Sequence, residues 1–184
     1  MEIDLVHVLR TGRWGPVAPG DPRGRVEQAL GVPEGWDRGP RGPGSSQAER
    51  WLYGAWELVF GVDDRLAFIF CERIDAWRHA LAFHVELGAL AAGPALRLGD
   101  AAPALRAEGV RTWLWRQKVT GAGVVTAEGG ASLLFYGPDG ALPAEDWTLS
   151  AFVVDGRGRP EPRLLDADWT APWAPAGPAP TAAL

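Results

Sequence analysis

The chain offers few side chains able to do chemistry. It has three histidines. His79 and His84 stand five apart, whereas ligands on one helical face sit three or four apart and those on one strand face an even number apart, so the pair does not read as a metal site. His84 falls on the strand side opposite Phe83 and Val85 and reads as solvated or hydrogen-bonded; His7 is tied to no acid or nucleophile. Cys71, the single cysteine, closes the apolar run Phe68-Ile69-Phe70-Cys71 and reads as a small buried hydrophobe. As a nucleophile it would need a depressed pKa, which Arg73 supplies only in part. Asp63-Asp64 and Glu145-Asp146 are adjacent acids that point apart in a turn or strand, so they read as turn chemistry. Asp166 and Asp168 form a third pair, but spacing alone does not place two carboxyls face to face as a glycosidase needs. Ser45 and Ser46 lie in a loop with no nucleophile elbow, and the stretch from Arg38 to Ser46 lacks the Gly-Lys-Ser/Thr ending of a phosphate loop. No catalytic residue, metal site or cofactor emerges.

Tryptophan is what the chain has in excess, with ten in 184 residues. Trp carries the largest apolar area of any side chain and, with Arg, is enriched at the energetic centres of binding surfaces. Taken singly, each reads most simply as core or as a pin for coil. Taken together, they predict that some face outward. Trp51, Tyr53 and Glu57 share one parity of an alternating stretch, Trp113 and Trp115 share another, and Trp36 follows the first clear helix. These six are the candidate binding residues.

The elements that must position them follow from periodicity. Residues 2 to 9 alternate loosely and fit a strand or a short helix before Gly15-Pro16. From Asp21 the chain reads as a helix, with Asp21 as N-cap, Pro22 at the first position, Val26, Ala29 and Leu30 on one side and Gly31 at the stop. Arg38 to Gln47 has nothing to bury and reads as a solvated, mobile loop. Trp51 to Phe60 and Leu66 to Cys71 alternate at period two around Gly61-Val62-Asp63-Asp64, which predicts a hairpin of two strands. Leu52, Trp56, Leu58 and Phe60 take one face of the first strand, with Trp51, Tyr53, Glu57 and Val59 on the other. A second face so rich in aromatic residues is either covered or offered to a partner. Ala80 to Leu90 reads as another strand, with a helix as the alternative.

Composition limits the function classes. With 47% hydrophobic and 22% charged residues the chain should bury a core without disulfides, while 24 Gly and 16 Pro call for short elements and many turns. The net charge of −5 and the lack of a basic run argue against nucleic acid. No export signal is read at the N-terminus, and no apolar run approaches the ~20 residues that span a bilayer. A cytoplasmic protein that is not membrane-bound is expected. Seventeen Arg beside Lys118 as the one lysine, with abundant Ala, Gly and Pro, suggests a GC-rich bacterial genome.

The chain then restarts. Leu98 to Val110 repeats the logic of Gly20 to Val32, and Gly99, Gly109 and Gly130 follow Gly20, Gly31 and Gly54 at separations of 79, 78 and 76 residues. Trp36 and Trp113 follow the two Gly-Val stops. A second hairpin is expected between Ala131–Tyr136 and Trp147–Val154, and a Pro/Ala-rich tail with Trp169 and Trp173 ends the chain. The fold class expected is α+β, in two tandem similar units of a short helix on an antiparallel sheet: residues 1–92 and 93–156, with 157–184 as a C-terminal extension.

The stretches GDPRGRVEQALGVPEGW and WLYGAWELVFGVDDRLAFIF, and more faintly GDAAPALRAEGV and GGASLLFYGPDG, resemble the helix-plus-sheet repeat of the beta-lactamase inhibitor proteins and of related outer-membrane assembly lipoproteins. The resemblance implies two tandem units whose sheets form a concave surface that grips another protein. This chain departs from those families in lacking a visible signal peptide and the inhibitors' cysteine pairs, so a beta-lactamase is a poor candidate for its partner. The expected function is that of a non-catalytic inhibitor or immunity-type protein whose partner is another protein, a toxin or an enzyme. The alternative is a small-molecule binder or enzyme with an aromatic-lined pocket between the sheets, and a third reading is an accessory subunit of a larger assembly.

Overall fold

The computed structural model describes residues 1–38, 49–72, 84–86, 88–91, 96–117, 121–137 and 144–156. The first residues form both of the elements that the loose alternation allowed. Strand β1, Glu2–Asp4, runs straight into helix α1, Leu5–Thr11. Asp4 makes the change of direction: it caps α1 by accepting the amide N–H groups of Val6 and His7, two donors the first turn leaves without intrahelical partners. Helix α2, Arg23–Leu30, starts after Pro22. Asp21 is one residue too early to cap it and instead accepts the amide of Ala18, making the turn that leads in. Gly31 closes the helix at φ 82°.

Four strands follow α2: β2, Gly35–Arg38; β3, Glu49–Tyr53; β4, Trp56–Phe60; and β5, Leu66–Cys71. The expectation of one strand from Trp51 to Phe60 is overturned here. The chain reverses at Gly54-Ala55, so that Tyr53 pairs with Trp56 across a two-residue turn whose first residue, Gly54, has φ 60°. The next reversal, where a hairpin was expected, places Asp64 at φ 61° and joins β4 to β5. Of the strand or helix expected over Ala80 to Leu90, the structure has β6, His84–Glu86, which pairs in parallel with β1, and a short 3-10 turn at Gly88–Ala91. Helix α3, Leu98–Ala107, is then followed by β7, Thr112–Arg116; β8, Gly123–Ala127; β9, Ala131–Tyr136; and β10, Thr148–Val154. The expected second hairpin is β9 with β10.

Strands β2 to β5 and β7 to β10 build one antiparallel eight-stranded sheet in the order β2-β3-β4-β5-β10-β9-β8-β7. Each set of four is a meander, and the two last strands meet at the centre, Phe70 opposite Val153. The two helices are tied to the sheet in corresponding ways. Arg23 donates its amide to the Asp64 carbonyl at 3.1 Å and Leu66 donates to Asp21 at 2.8 Å; Leu98 donates to Trp147 at 2.8 Å and Leu149 to Leu96 at 2.9 Å. The strand reached is irregular just after this contact in both places, at Ala67 and at Ser150. Such bulges turn the chain so that Leu66 and Ile69, and likewise Leu149 and Phe152, all point to the helical side.

The core lies on that one side. Glu49, Trp51 and Tyr53 of β3 face the same way as Trp56, Leu58 and Phe60 of β4, and Val125, Leu133 and Phe152 continue the layer across the sheet. Against it pack Leu5, Val8 and Leu9 of α1, Val26 and Leu30 of α2, and Leu98 and Leu105 of α3. Trp14 stacks on Trp56 with ring centroids 4.1 Å apart and reaches Phe152 at 6.0 Å, so the N-terminal segment touches both halves of the sheet.

Candidate functional site

The six residues singled out by sequence fall in three places. Tyr53 is fully buried, with its hydroxyl donating to the Gly31 carbonyl at 2.8 Å. It is not the surface residue that parity suggested, because the Gly54 turn puts β3 and β4 in separate strands and moves Trp51 and Tyr53 onto the core side. Trp51 is also buried, 5% exposed, yet its ring forms the floor of a cleft beside Trp36. Glu57, Trp113 and Trp115 lie on the opposite face of the sheet.

That opposite face has a clear composition. A row of directly opposed residues crosses all eight strands: Gly35, Leu52, Glu57, Phe70, Val153, Ser132, Thr126 and Trp113. Val59 pairs with Phe68 on one side of this row, and Leu134, Val124 and Trp115 run beside it on the other. None of these belongs to the core cluster that packs against the helices. Leu52, Phe68, Phe70, Leu134, Trp113 and Trp115 are each half-buried, Val59, Val124 and Thr126 are buried, and Tyr136 is 36% exposed. Trp115 is held in place by its indole N–H, which donates to Thr126 Oγ1 at 2.9 Å, and Thr126 Oγ1 lies 2.9 Å from Ser132 Oγ. Charge sits toward both ends: Arg50 bridges Glu57 at 3.0 Å and Asp37 at 3.5 Å, and Arg111 pairs with Glu128 at 2.8 Å where β7 and β8 meet.

The cleft occupies the helical side at the β2 end of the sheet, where α2 leads into that edge strand. It has a volume of about 420 Å³, and its walls include Arg23, Glu27, Glu34, Trp36, Glu49 and Trp51. Trp36 stands opposite Trp51 in the sheet and is 70% exposed. Arg23 organises the interior. Its Nη1 meets Glu49 Oε2, its Nη2 lies 2.6 Å from Asp64 Oδ1, and its guanidinium sits 5.7 Å from the Trp51 ring centre and 5.1 Å from that of Phe60. Glu49 uses its other oxygen to accept the Trp51 indole N–H at 2.8 Å. Arg23 Nε–H is buried without a hydrogen-bond partner. The carboxylate of Glu27 reaches Tyr53, whose pKa is pushed up to about 12, first by burial and second by that charge.

No family model, curated protein or solved structure matches the chain. The site is therefore read from its own geometry.

The candidates for catalysis are dispersed. Cys71 is buried on the core side at the central seam, opposite Phe152, where no substrate reaches its thiol. His84 pairs with Glu86 at 3.0 Å on an exposed strand, and His7 is exposed on α1. Asp63 accepts the Arg65 amide, Asp64 pairs with Arg23, and Asp146 pairs with Arg97 at 3.1 Å, so these acids shape turns and anchor neighbours. Among the described residues no group of three or more His, Cys, Asp or Glu could hold a metal, and no helix is long and apolar enough to cross a membrane. His79, Arg73, Ser45, Ser46, Asp166, Asp168, Trp169 and Trp173, with the loop at 39–48 and the tail at 157–184, lie outside the described residues. Strands β2 to β5 and β7 to β10 belong to one sheet, and the cleft lies at its edge.

Sequence reasoning missed contributors to these surfaces, among them Phe68, Phe70 and Glu49. Phe68 and Phe70 were read as part of the strand Leu66 to Cys71 but not as a face of their own, although their alternation with Ile69 and Cys71 marks a strand with two apolar faces. Glu49 stood next to a Trp strand with nothing to announce its burial.

Proposed function

We propose that this chain is a non-catalytic binding protein that takes another protein on the open face of its eight-stranded sheet. The observation that carries the reading is the row from Leu52 to Trp113, in which Leu52, Phe70, Val153 and Trp113 are interspersed with Glu57, Ser132 and Thr126 and none belongs to the core cluster. Seven strand spacings and five-residue strands give a face of roughly 34 by 17 Å, on the scale of the ~800 Å² that each partner contributes to a stable complex. An apolar centre, two tryptophans and a charged cluster kept to the rim is how such surfaces are built. The partner it suits presents apolar side chains at its centre and basic ones at its rim, complementary to Asp37, Glu57 and the net charge of −5.

We infer further that the two halves are tandem copies of one helix-plus-meander unit. Support comes from the mirrored strand order, the corresponding helix-to-strand hydrogen bonds and the bulge that follows each contact. This is also the architecture that the resemblance to the beta-lactamase inhibitor proteins implies.

The test is capture from the native host with the full chain carrying a tag. Wild type should retain a second protein at one-to-one stoichiometry. Trp113→Ala should weaken that complex by about 2 kcal/mol, roughly thirtyfold in Kd, as expected for an anchor residue. Phe70→Lys should abolish it while circular dichroism stays unchanged, and Val32→Asp, distant from this face, should have no effect. A complex indifferent to Trp113 and Phe70, or self-association through this face, would remove the proposal.

A further inference from the structure

We infer that the edge strand β7 pairs with β7 of a second copy of this chain, antiparallel about a two-fold axis at Leu114, so that two eight-stranded sheets continue into one. The argument begins with the backbone. In an antiparallel ladder alternate residues turn both N–H and C=O toward the neighbouring strand, and the residues between them turn both away. Gln117 donates its amide to the Ala122 carbonyl at 2.9 Å and Glu128 donates to that of Arg111 at 3.0 Å, which fixes the phase of β7 against β8. Trp113 and Trp115 therefore face β8 with their amides and carbonyls, whereas Thr112, Leu114 and Arg116 direct theirs outward from the edge. Among the described residues β8 is the one strand paired with β7, and no turn or loop bonds the backbone of those three. The edge also lacks the usual safeguards: Thr112–Arg116 has no proline and no lysine, and its register with β8 runs without a bulge.

The order Thr-Trp-Leu-Trp-Arg selects the occupant, because it is complementary to itself. With Leu114 opposite itself, Thr112 meets Arg116 of the second copy, and every outward position falls in a pair that exchanges both N–H···O bonds. On the open face the same register sets Trp113 opposite Trp115 of the second copy, in the non-hydrogen-bonded pairs where side chains approach most closely. Arg111 then faces the neutral Gln117, so no like charges are opposed. A shift of two residues leaves one outward position without a strand residue opposite it and sets only one tryptophan of each copy against another. Five residues give a seam of ~17 Å, short enough for a reversible monomer–dimer equilibrium. Each copy carries a net charge of −5, so added salt should strengthen the association.

The experiment follows sedimentation of the full chain over a range of concentrations, with amide hydrogen exchange measured at each. A dimer should grow with concentration, and the amides of Thr112, Leu114 and Arg116 should become protected with it, while those of Trp113 and Trp115 are protected throughout. Thr112→Pro removes an amide that β8 does not use, and should weaken association by about tenfold or more through the bond lost at each end of the seam. Thr112→Glu, opposite Arg116 of the second copy, should tighten the dimer severalfold, and Thr112→Lys should loosen it by a similar factor. That pair of variants reads the register whether or not the proline variant folds. A chain that stays monomeric with the three amides exchanging freely would overturn the inference, as would Glu and Lys acting alike. Protection that appears only when another protein is captured would give the edge to that protein's strand and overturn it equally. The outcome is separable from the open-face reading: Phe70→Lys should leave the dimer intact, and Thr112→Pro should leave capture of a partner intact.

Discussion

Tyr53 stays neutral well into the alkaline range because its hydroxyl is buried and feels the negative charge of Glu27, and it donates a hydrogen bond to the Gly31 carbonyl. Its folded pKa, about 12, lies above the ~10 of an unfolded tyrosine, so the folded state holds the proton more tightly. The stability this provides is fully present below pH ~10 and is lost as the pH climbs toward 12. Phenolate absorbance should therefore show one tyrosine ionising near 12 in a difference titration of wild type against Tyr53→Phe, with alkaline unfolding shifted in the variant. Ionisation of Tyr53 near 10 would contradict its burial against Gly31. A second case is Glu49, which accepts from Trp51 and pairs with Arg23 while only 8% exposed. Glu49→Gln keeps an acceptor for the indole but leaves the guanidinium without that counter-charge, and should cost about 2 kcal/mol in urea unfolding. If the cost falls to nothing when Arg23→Met is also present, the loss belongs to the pair; an unchanged cost would assign it to the indole contact.

Two glycines with opposite surroundings test how the elements are fitted together. A Cβ on Gly129 would come within 2.2 Å of the Gly12 amide nitrogen, where the end of α1 meets the turn between β8 and β9. Gly129→Ala must push backbone from backbone and should destabilise the protein by about 1–3 kcal/mol, the usual cost of overpacking. Gly24 lies in the first turn of α2 with open space around it, so Gly24→Ala should stabilise by about 0.5 kcal/mol through the loss of unfolded-state freedom. Equal signs in thermal unfolding would refute this placement of α1. Elements whose pattern is local were legible in the sequence: α2 with its Gly31 stop, α3, β5 and the hairpin of β9 with β10. The β3–β4 turn was misread because alternation runs through it. A two-residue turn pairs Tyr53 with Trp56 and so exchanges odd for even, and the apolar positions do change from 51 and 53 to 56, 58 and 60, which was the available signal. β2 was illegible, since Gly-Trp-Asp-Arg has no apolar alternation and becomes a strand only by pairing with β3. For the candidate sites, the shared parity of Trp113 and Trp115 could be read, whereas the cleft depends on a register between Trp36 and Trp51 that no local pattern encodes.

At the scale of the whole molecule, the first and last elements decide whether the two halves act as one body. Among the described residues β5 and β10 pair across the centre of the sheet through three residue pairs, Cys71 with Phe152, Phe70 with Val153 and Ile69 with Val154. Such a short seam would be a weak joint by itself. Trp14 reinforces it from the helical side, in contact with Trp56 from the first half and Phe152 from the second, while those two rings meet edge-on at 5.7 Å. α1 adds a further tie, since Gly129 donates its amide to Leu9 and Arg10 reaches the carbonyl of Glu108. The N-terminal segment therefore links both halves, and unfolding should be a single transition in which tryptophan fluorescence and far-ultraviolet circular dichroism coincide. Trp14→Ala should remove about 3–5 kcal/mol and, because the lost contacts are the shared ones, should let the halves separate into two transitions. Hydrogen exchange distinguishes the outcomes: in Trp14→Ala the amides of β7 to β9 should open at a different free energy from those of β3 and β4, whereas in wild type both sets open together. Separate opening in wild type would mean that the seam does not transmit stability. The open face from Leu52 to Trp113 would then no longer be one rigid surface, and a partner would meet two smaller ones.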